Sequence, residues 1–183
     1  MKLHLGCWHR NIPGFVNVDL CDMEHIDYKS SIDDLSMFDD ESVSLIYSSH
    51  CFEYFNRQQA VEVLMEWNRV LKSGGILRLA VPDFDSLIRV YQKTNQIENI
   101  LGPLYGEMDI DTRDGKTKLY HKTIYNFDSL FKILNENGFS DVIKYDWKNT
   151  IHKDYDDHSQ AYFPHMDKEN GILVSLNVEA TKI

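Results

Sequence analysis

Four short apolar runs in the first half of the chain each stop at residues suited to meeting a ligand. Leu3-His4-Leu5 stops at Gly6-Cys7-Trp8, and Val16 to Leu20 carries Asp19 at its end. Val43 to Ser48 leads into Ser48-Ser49-His50, and Ile76 to Val81 into Pro82-Asp83. A glycine at a strand end lets backbone approach a ligand closely. A carboxylate at the end of the next strand stands in place to accept hydrogen bonds from a ribose diol. The natural occupant is a nucleoside-type cofactor. His50 and Glu53, three residues apart, are candidates for acid–base work or for capping the following helix.

A dinucleotide would need G-x-G-x-x-G, a helix N-terminus on its pyrophosphate and an acid ~20 residues further on. Only Gly6 is present, with Trp8 where a second glycine would stand. Asp19 follows Gly6 by 13 residues, which leaves little room for a full intervening helix. The phosphate cradle is missing, so a nicotinamide-dependent reductase is a poor reading. A cofactor without phosphates, such as S-adenosylmethionine, is compatible.

The elements that would carry these residues read as α/β. Strands apolar on both faces are expected to be parallel and covered by helices. Ala60, Leu64, Trp67 and Leu71 fall on one stripe of a helix from Arg57 to Leu71, with an Asn56/Gln59 capping box. Phe84, Leu87, Ile88 and Tyr91, and later Phe127, Leu130, Phe131 and Leu134, repeat that spacing. Asp141–Trp147 and Ile172–Ala180 are expected to pair antiparallel at one sheet edge, where Ile172–Ala180 would offer a free edge. Thr94–Lys122 and Thr150–Asn170 are expected to be irregular loops, a length usually reserved for lids or binding loops.

Composition bounds the function. The 183 residues suit one domain, 1–183. A net charge of −10 disfavours nucleic acid and anionic membrane as partners. No apolar run is long enough to cross a bilayer, and no basic-then-apolar leader precedes Lys2. Three cysteines without CxxC spacing exclude a thiolate zinc site and a disulfide scaffold, and fit a reducing cytoplasm. His152, Asp154, Asp156, Asp157, His158 and His165 match no zinc or EF-hand spacing. A solvated acidic loop is expected there, with no metal.

The ordered segments LHLGCW, PGFVNVDL, FDDESVSLIYSSHCFEYF, RVLKSGGILRLAVPD and FDSLFKILNENGF resemble the class I S-adenosylmethionine-dependent methyltransferases, in particular a small group with a shortened first crossover. The resemblance covers most of the chain outside the two irregular stretches. It implies a Rossmann-like three-layer sandwich with a mostly parallel, seven-stranded-type sheet and an antiparallel terminal hairpin. It also implies S-adenosylmethionine as cofactor and S-adenosylhomocysteine as product. The Gly6 and Cys7 backbone would lie beside the methionine moiety, Asp19 on the ribose hydroxyls, and Leu20 against the adenine; Trp8, also counted with the cofactor site, would fill part of the pocket, pack outward or stack on the ligand. Asp33, Asp34 and Leu35 would border the adenine, with Ser48, Ser49 and His50 at the sulfonium. His121 is the candidate base for a hydroxyl acceptor, with Tyr120 and Tyr125 on the same wall. Two positions depart from the family pattern: Trp8 replaces the third residue of the glycine loop, and Tyr54 the second His of an HxLEH signature. Two readings stay open. One is a methyltransferase acting on a small molecule, a sugar hydroxyl included; the other is a non-catalytic binding or scaffold domain of the same fold.

Overall fold

A computed structural model describes residues 1–112 and 115–183. In chain order the elements are β1 (Lys2–Leu5), β2 (Val16–Asp19), β3 (Tyr28–Lys29), β4 (Val43–Ser49), α1 (Arg57–Val70), β5 (Leu71–Pro82), α2 (Phe84–Thr94), α3 (Glu98–Tyr105), β6 (Met108–Thr112), β7 (Gly115–Leu119), α4 (Phe127–Glu136), β8 (Phe139–Lys144), β9 (Tyr162–Phe163), β10 (Ile172–Leu173) and β11 (Ser175–Lys182). Seven strands form one sheet in the order β3-β2-β1-β4-β5-β11-β8. The strands from β3 to β5 are parallel, and β11 runs antiparallel to both β5 and β8. The order reverses between β1 and β4, so the loops after β1 and β4 diverge and leave a crevice at the carboxyl ends.

Helices α1 and α4 cover one face. Leu3, Leu5 and Val18 of the sheet pack with Ala60, Leu64 and Trp67 of α1 and Leu130 and Leu134 of α4. Trp67 is fully buried, and its indole N–H donates to the Ile32 carbonyl (2.7 Å). Asn56 caps α1 by accepting from the Gln58 and Gln59 amides (2.9 and 3.0 Å), and Gln59 returns the bond to the Asn56 amide (3.1 Å). Behind β1 and β4 the third layer is irregular chain. Ile12 and Phe15 pack there on Leu45 and Tyr47, with Tyr155 partly buried against them. His4 stacks on Tyr47 (5.2 Å between centroids), and Tyr47 on His152 (3.9 Å). Among the described residues no helix is long and apolar enough to cross a membrane.

Three expectations need correction. Thr94–Lys122 is not structureless: it holds α3 and the β6–β7 hairpin, whose strands pair from Met108↔Leu119 to Thr112↔Gly115. Ile172–Ala180 is not a free edge. The antiparallel pair forms as read, but β11 is interior and β8 is the edge strand. The stretch Thr150–Asn170 is not simply solvated, because His152 is fully buried and Asp157 is 6% exposed. Asp157 is held there by the Tyr47 hydroxyl (2.5 Å) and the Ser159 amide (2.8 Å). Strand alternation explains this: Leu3 and Leu5 face the helices, so His4 and Tyr47 face the opposite side and need a polar cover.

Replacing Asn56 by Ala orphans two amides at the start of α1. It is expected to cost about 1 kcal/mol in urea unfolding, with the m-value unchanged.

Candidate functional site

The turn after β1 is built around one carboxylate. Asp19, at the tip of β2 and 7% exposed, accepts the Trp8 amide on Oδ2 (2.7 Å) and the Cys21 amide on Oδ1 (2.8 Å). The second bond is an Asx-turn, and the first ties two neighbouring strand ends together. Gly6 has φ +68°, and a Cβ there would lie 2.1 Å from Cys51 Sγ. Trp8 takes a left-handed φ of +45°, a conformation that an L-residue enters at some cost. Its indole is 38% exposed, packed edge-on to His9 (4.3 Å) with the Arg10 guanidinium 5.9 Å from its ring.

Two cavities flank this turn. A small one of about 100 Å³ has Gly6, Asp19, Leu20, Ser31 and Ile32 for its floor and walls. Met108, Ile110 and Leu119 of the hairpin also line it. The second, about 460 Å³, is lined by His50, His121 and His158. Trp8, Tyr54 and Met108 line both, so they form the partition. Leu35 lies fully buried in the core, and Asp33 and Asp34 are exposed in a turn of their own. Ser31 and Ile32 instead reach the small cavity. Cys7 and Ser48 are buried, and Ser49 reaches toward Asp157 (3.4 Å).

Below the larger cavity His50, Glu53 and His121 come together. Glu53 is fully buried, and neither carboxyl oxygen has a hydrogen-bond partner among the described residues. His50 Nδ1 stands 3.5 Å and His121 Nε2 3.7 Å from the same oxygen, Glu53 Oε1. The far side of each ring fixes its tautomer. His121 Nδ1 is 2.9 Å from the Pro103 carbonyl, which can only accept, so Nδ1 carries the proton and Nε2 a lone pair. Ser175 donates its hydroxyl to Asn177 (2.9 Å), so it accepts from His50 Nε2 (3.0 Å), which leaves the lone pair on His50 Nδ1. Two lone pairs thus face one carboxyl group. An ionised Glu53 would be repelled by both; a protonated one satisfies either.

Burial acts in the same direction, pushing the Glu53 carboxyl up to about 8. Burial also lowers His50 well below the usual imidazole range, and His121 and His158 below it. Near neutral pH the cluster therefore holds its proton on Glu53 between neutral imidazoles. Local packing fixes His121: a Cβ at Gly106 would lie 2.1 Å from its Nε2, and Tyr54 packs edge-on to its ring (4.7 Å). The Glu53 carbonyl accepts the Lys122 and Thr123 amides (2.8 and 3.2 Å), which anchors the loop segment carrying His121.

Sequence reasoning missed the hairpin residues and His158. The alternation of Met108 and Ile110 with Asp109 and Asp111 was a two-residue period that pointed to a strand. His158 stood among acids and read as solvent-facing. Among the described residues, no group of three or more His, Cys, Asp or Glu is placed to hold a metal ion.

A family model described as a methyltransferase domain matches residues 14–79, from just before β2 into β5. No curated protein matches the chain. Solved structures share its fold. A methyltransferase from Thermotoga maritima superposes with a TM-score of 0.60 at 16% identity, covering 100% of this chain and 82% of that one. One from Archaeoglobus fulgidus gives 0.57 at 16% identity, covering 99% and 85%. A Burkholderia thailandensis 1,6-didemethyltoxoflavin N1-methyltransferase, solved with that substrate and S-adenosylhomocysteine, gives 0.55 at 12% identity, covering 99% and 70%.

The raised Glu53 acidity has a stability consequence. The folded chain keeps this proton up to about pH 8, whereas the unfolded chain releases it near 4.5. Wild type therefore loses stability relative to Glu53→Gln as pH rises from 4.5 toward 8. Thermal melts at pH 5 and pH 8 should show the variant gaining on wild type at the higher pH; a gap independent of pH would refute the buried proton.

Proposed function

We propose that this chain, whose fold is that of the class I S-adenosylmethionine-dependent methyltransferases, transfers a methyl group from S-adenosylmethionine to a hydroxyl of a small-molecule acceptor. The observation that carries the reading is the pairing of two sites across one partition: the Gly6–Asp19 turn on one side, the His50–Glu53–His121 cluster on the other.

The residues at the turn suit an adenosyl group. Asp19 keeps a free lone pair on each oxygen for the ribose diol, and exposed Leu20 beside it offers an apolar face to the adenine. The backbone of Gly6 admits the methionine portion. The small cavity is narrower than the ~300 Å³ at which ligand pockets begin, so Met108, Ile110 and Leu119 must lift for the nucleoside to enter. When bound, the cofactor supplies an electrophilic sulfonium methyl.

The chain's own part is to orient the acceptor and take its proton. His121 Nε2 and His50 Nδ1 are the lone pairs available to a hydroxyl in the larger cavity. At neutral pH Glu53 already holds one proton beside them, so accepting a second leaves a net positive charge in a buried site. Once Glu53 has ionised, the same step leaves the cluster neutral, and the imidazolium is stabilised by the carboxylate. Trp8 and Tyr54 close the partition and exclude water. A neutral imidazole in this role contributes typically ~10²–10⁴-fold to rate.

Titration calorimetry with S-adenosylhomocysteine should show one site per chain. Asp19→Ala should weaken it about 10- to 100-fold, as expected for a charge-assisted hydrogen bond of ~1.5–3 kcal/mol. No heat at millimolar ligand with folded protein would favour a non-catalytic binding domain. Once an acceptor is found, kcat/KM should rise with pH to a midpoint near 8 and then level. His121→Ala should lower kcat by at least about 10² while leaving cofactor affinity unchanged.

A further inference from the structure

A third concavity opens beside His121. It is about 740 Å³ and runs between the start of α1, the end of α3 and the length of α4. Its apolar lining includes Val61, Leu104 and Ile133, and around these stand three cations, Arg57, Lys122 and Lys132, and one carboxylate, Glu136. These three cations are exposed on a chain of net charge −10. Among the described residues, Lys122 donates to Gln59 Oε1 (3.3 Å), and Lys132 lies 3.9 Å from Glu136 on its own helix.

A further polar group waits in the same wall. Tyr125 is 6% exposed, and its buried hydroxyl lies beside the Thr123 side chain. His121 lines this groove and the cavity of about 460 Å³ alike.

We infer that this groove binds the anionic end of the acceptor: a carboxylate or phosphoryl group on an apolar body, held by Arg57, Lys122 and Lys132 while its hydroxyl reaches His121. The inference rests on the methyl-transfer reading for the acceptor's identity, but not for the groove's preference for anions. Three cations around an apolar floor attract an amphipathic anion and give a neutral analogue no such advantage. An anchor beyond His121 also fixes the direction from which the hydroxyl arrives, which is how remote contacts orient a reacting group.

The test is binding, read by calorimetry with and without saturating S-adenosylhomocysteine. The probes are 4-hydroxybenzoate, 4-hydroxyphenyl phosphate and, as neutral control, 4-hydroxybenzamide. At low salt at least one anion should bind tenfold or more tightly than the amide, and which one does so separates carboxylate from phosphoryl recognition. The triple variant Arg57→Gln, Lys122→Gln, Lys132→Gln should abolish that difference, as should high salt. All three side chains are exposed, and circular dichroism checks the fold. Equal binding of anions and amide, or a preference that survives the triple variant, overturns the inference. Loss of S-adenosylhomocysteine binding with the anion preference intact would instead strike the methyl-transfer reading alone.

Discussion

Two backbone amides, one from each of two adjacent strand-end turns, converge on the single carboxylate of Asp19. That convergence sets the shape of the crevice. It holds the chain after β1 in the left-handed turn through Gly6 and Trp8, and it places an anionic group at the switch point of the sheet. The turn is tight enough that Cys51 fills the space a side chain at Gly6 would need. A ribose-binding role for Asp19 and its structural role are not alternatives. The carboxylate has four lone-pair sites, and the fold uses two.

The second constraint is a proton that has nowhere else to go. Glu53 is sealed from water without a hydrogen-bond donor, between two imidazoles whose outer nitrogens are already committed. Burial alone would raise the carboxyl, and the two facing lone pairs make ionisation costlier still. Such a group is a poor device for stability, since a buried unpaired acid only subtracts from it as pH rises. In the proposed reaction it is the reserve that turns a pair of ordinary histidines into a base of tunable strength. The cost sits where enzymes commonly hold strain and perturbed acidities, at a cleft beside a ligand turn.

Much of the frame was legible in the residues. The strands, the capping box at Asn56 and the terminal antiparallel pair follow from periodicity and caps. His50, Glu53 and His121 were singled out separately, and the fold brings them within 4 Å of one oxygen. Other features depend on contacts far apart in sequence. Met108, Ile110 and Leu119 meet the Gly6 turn across about a hundred residues, and no local pattern names that partner. His158 and Asp157 looked solvent-facing because acids surround them, yet Tyr47 and Ser49 on β4 draw Asp157 inward. Asp33 and Asp34 illustrate the converse: the family resemblance implied a contact with the adenine, but the chain turns so that Ser31 and Ile32 line the small cavity.

The most direct measurement is a crystal structure grown with saturating S-adenosylhomocysteine. The account predicts adenosine density between Leu20 and Ile32, its ribose on Asp19, and the β6–β7 hairpin raised from the turn. A crystal from the same conditions in which Met108, Ile110 and Leu119 still fill that space, with no nucleoside beneath them, would contradict it.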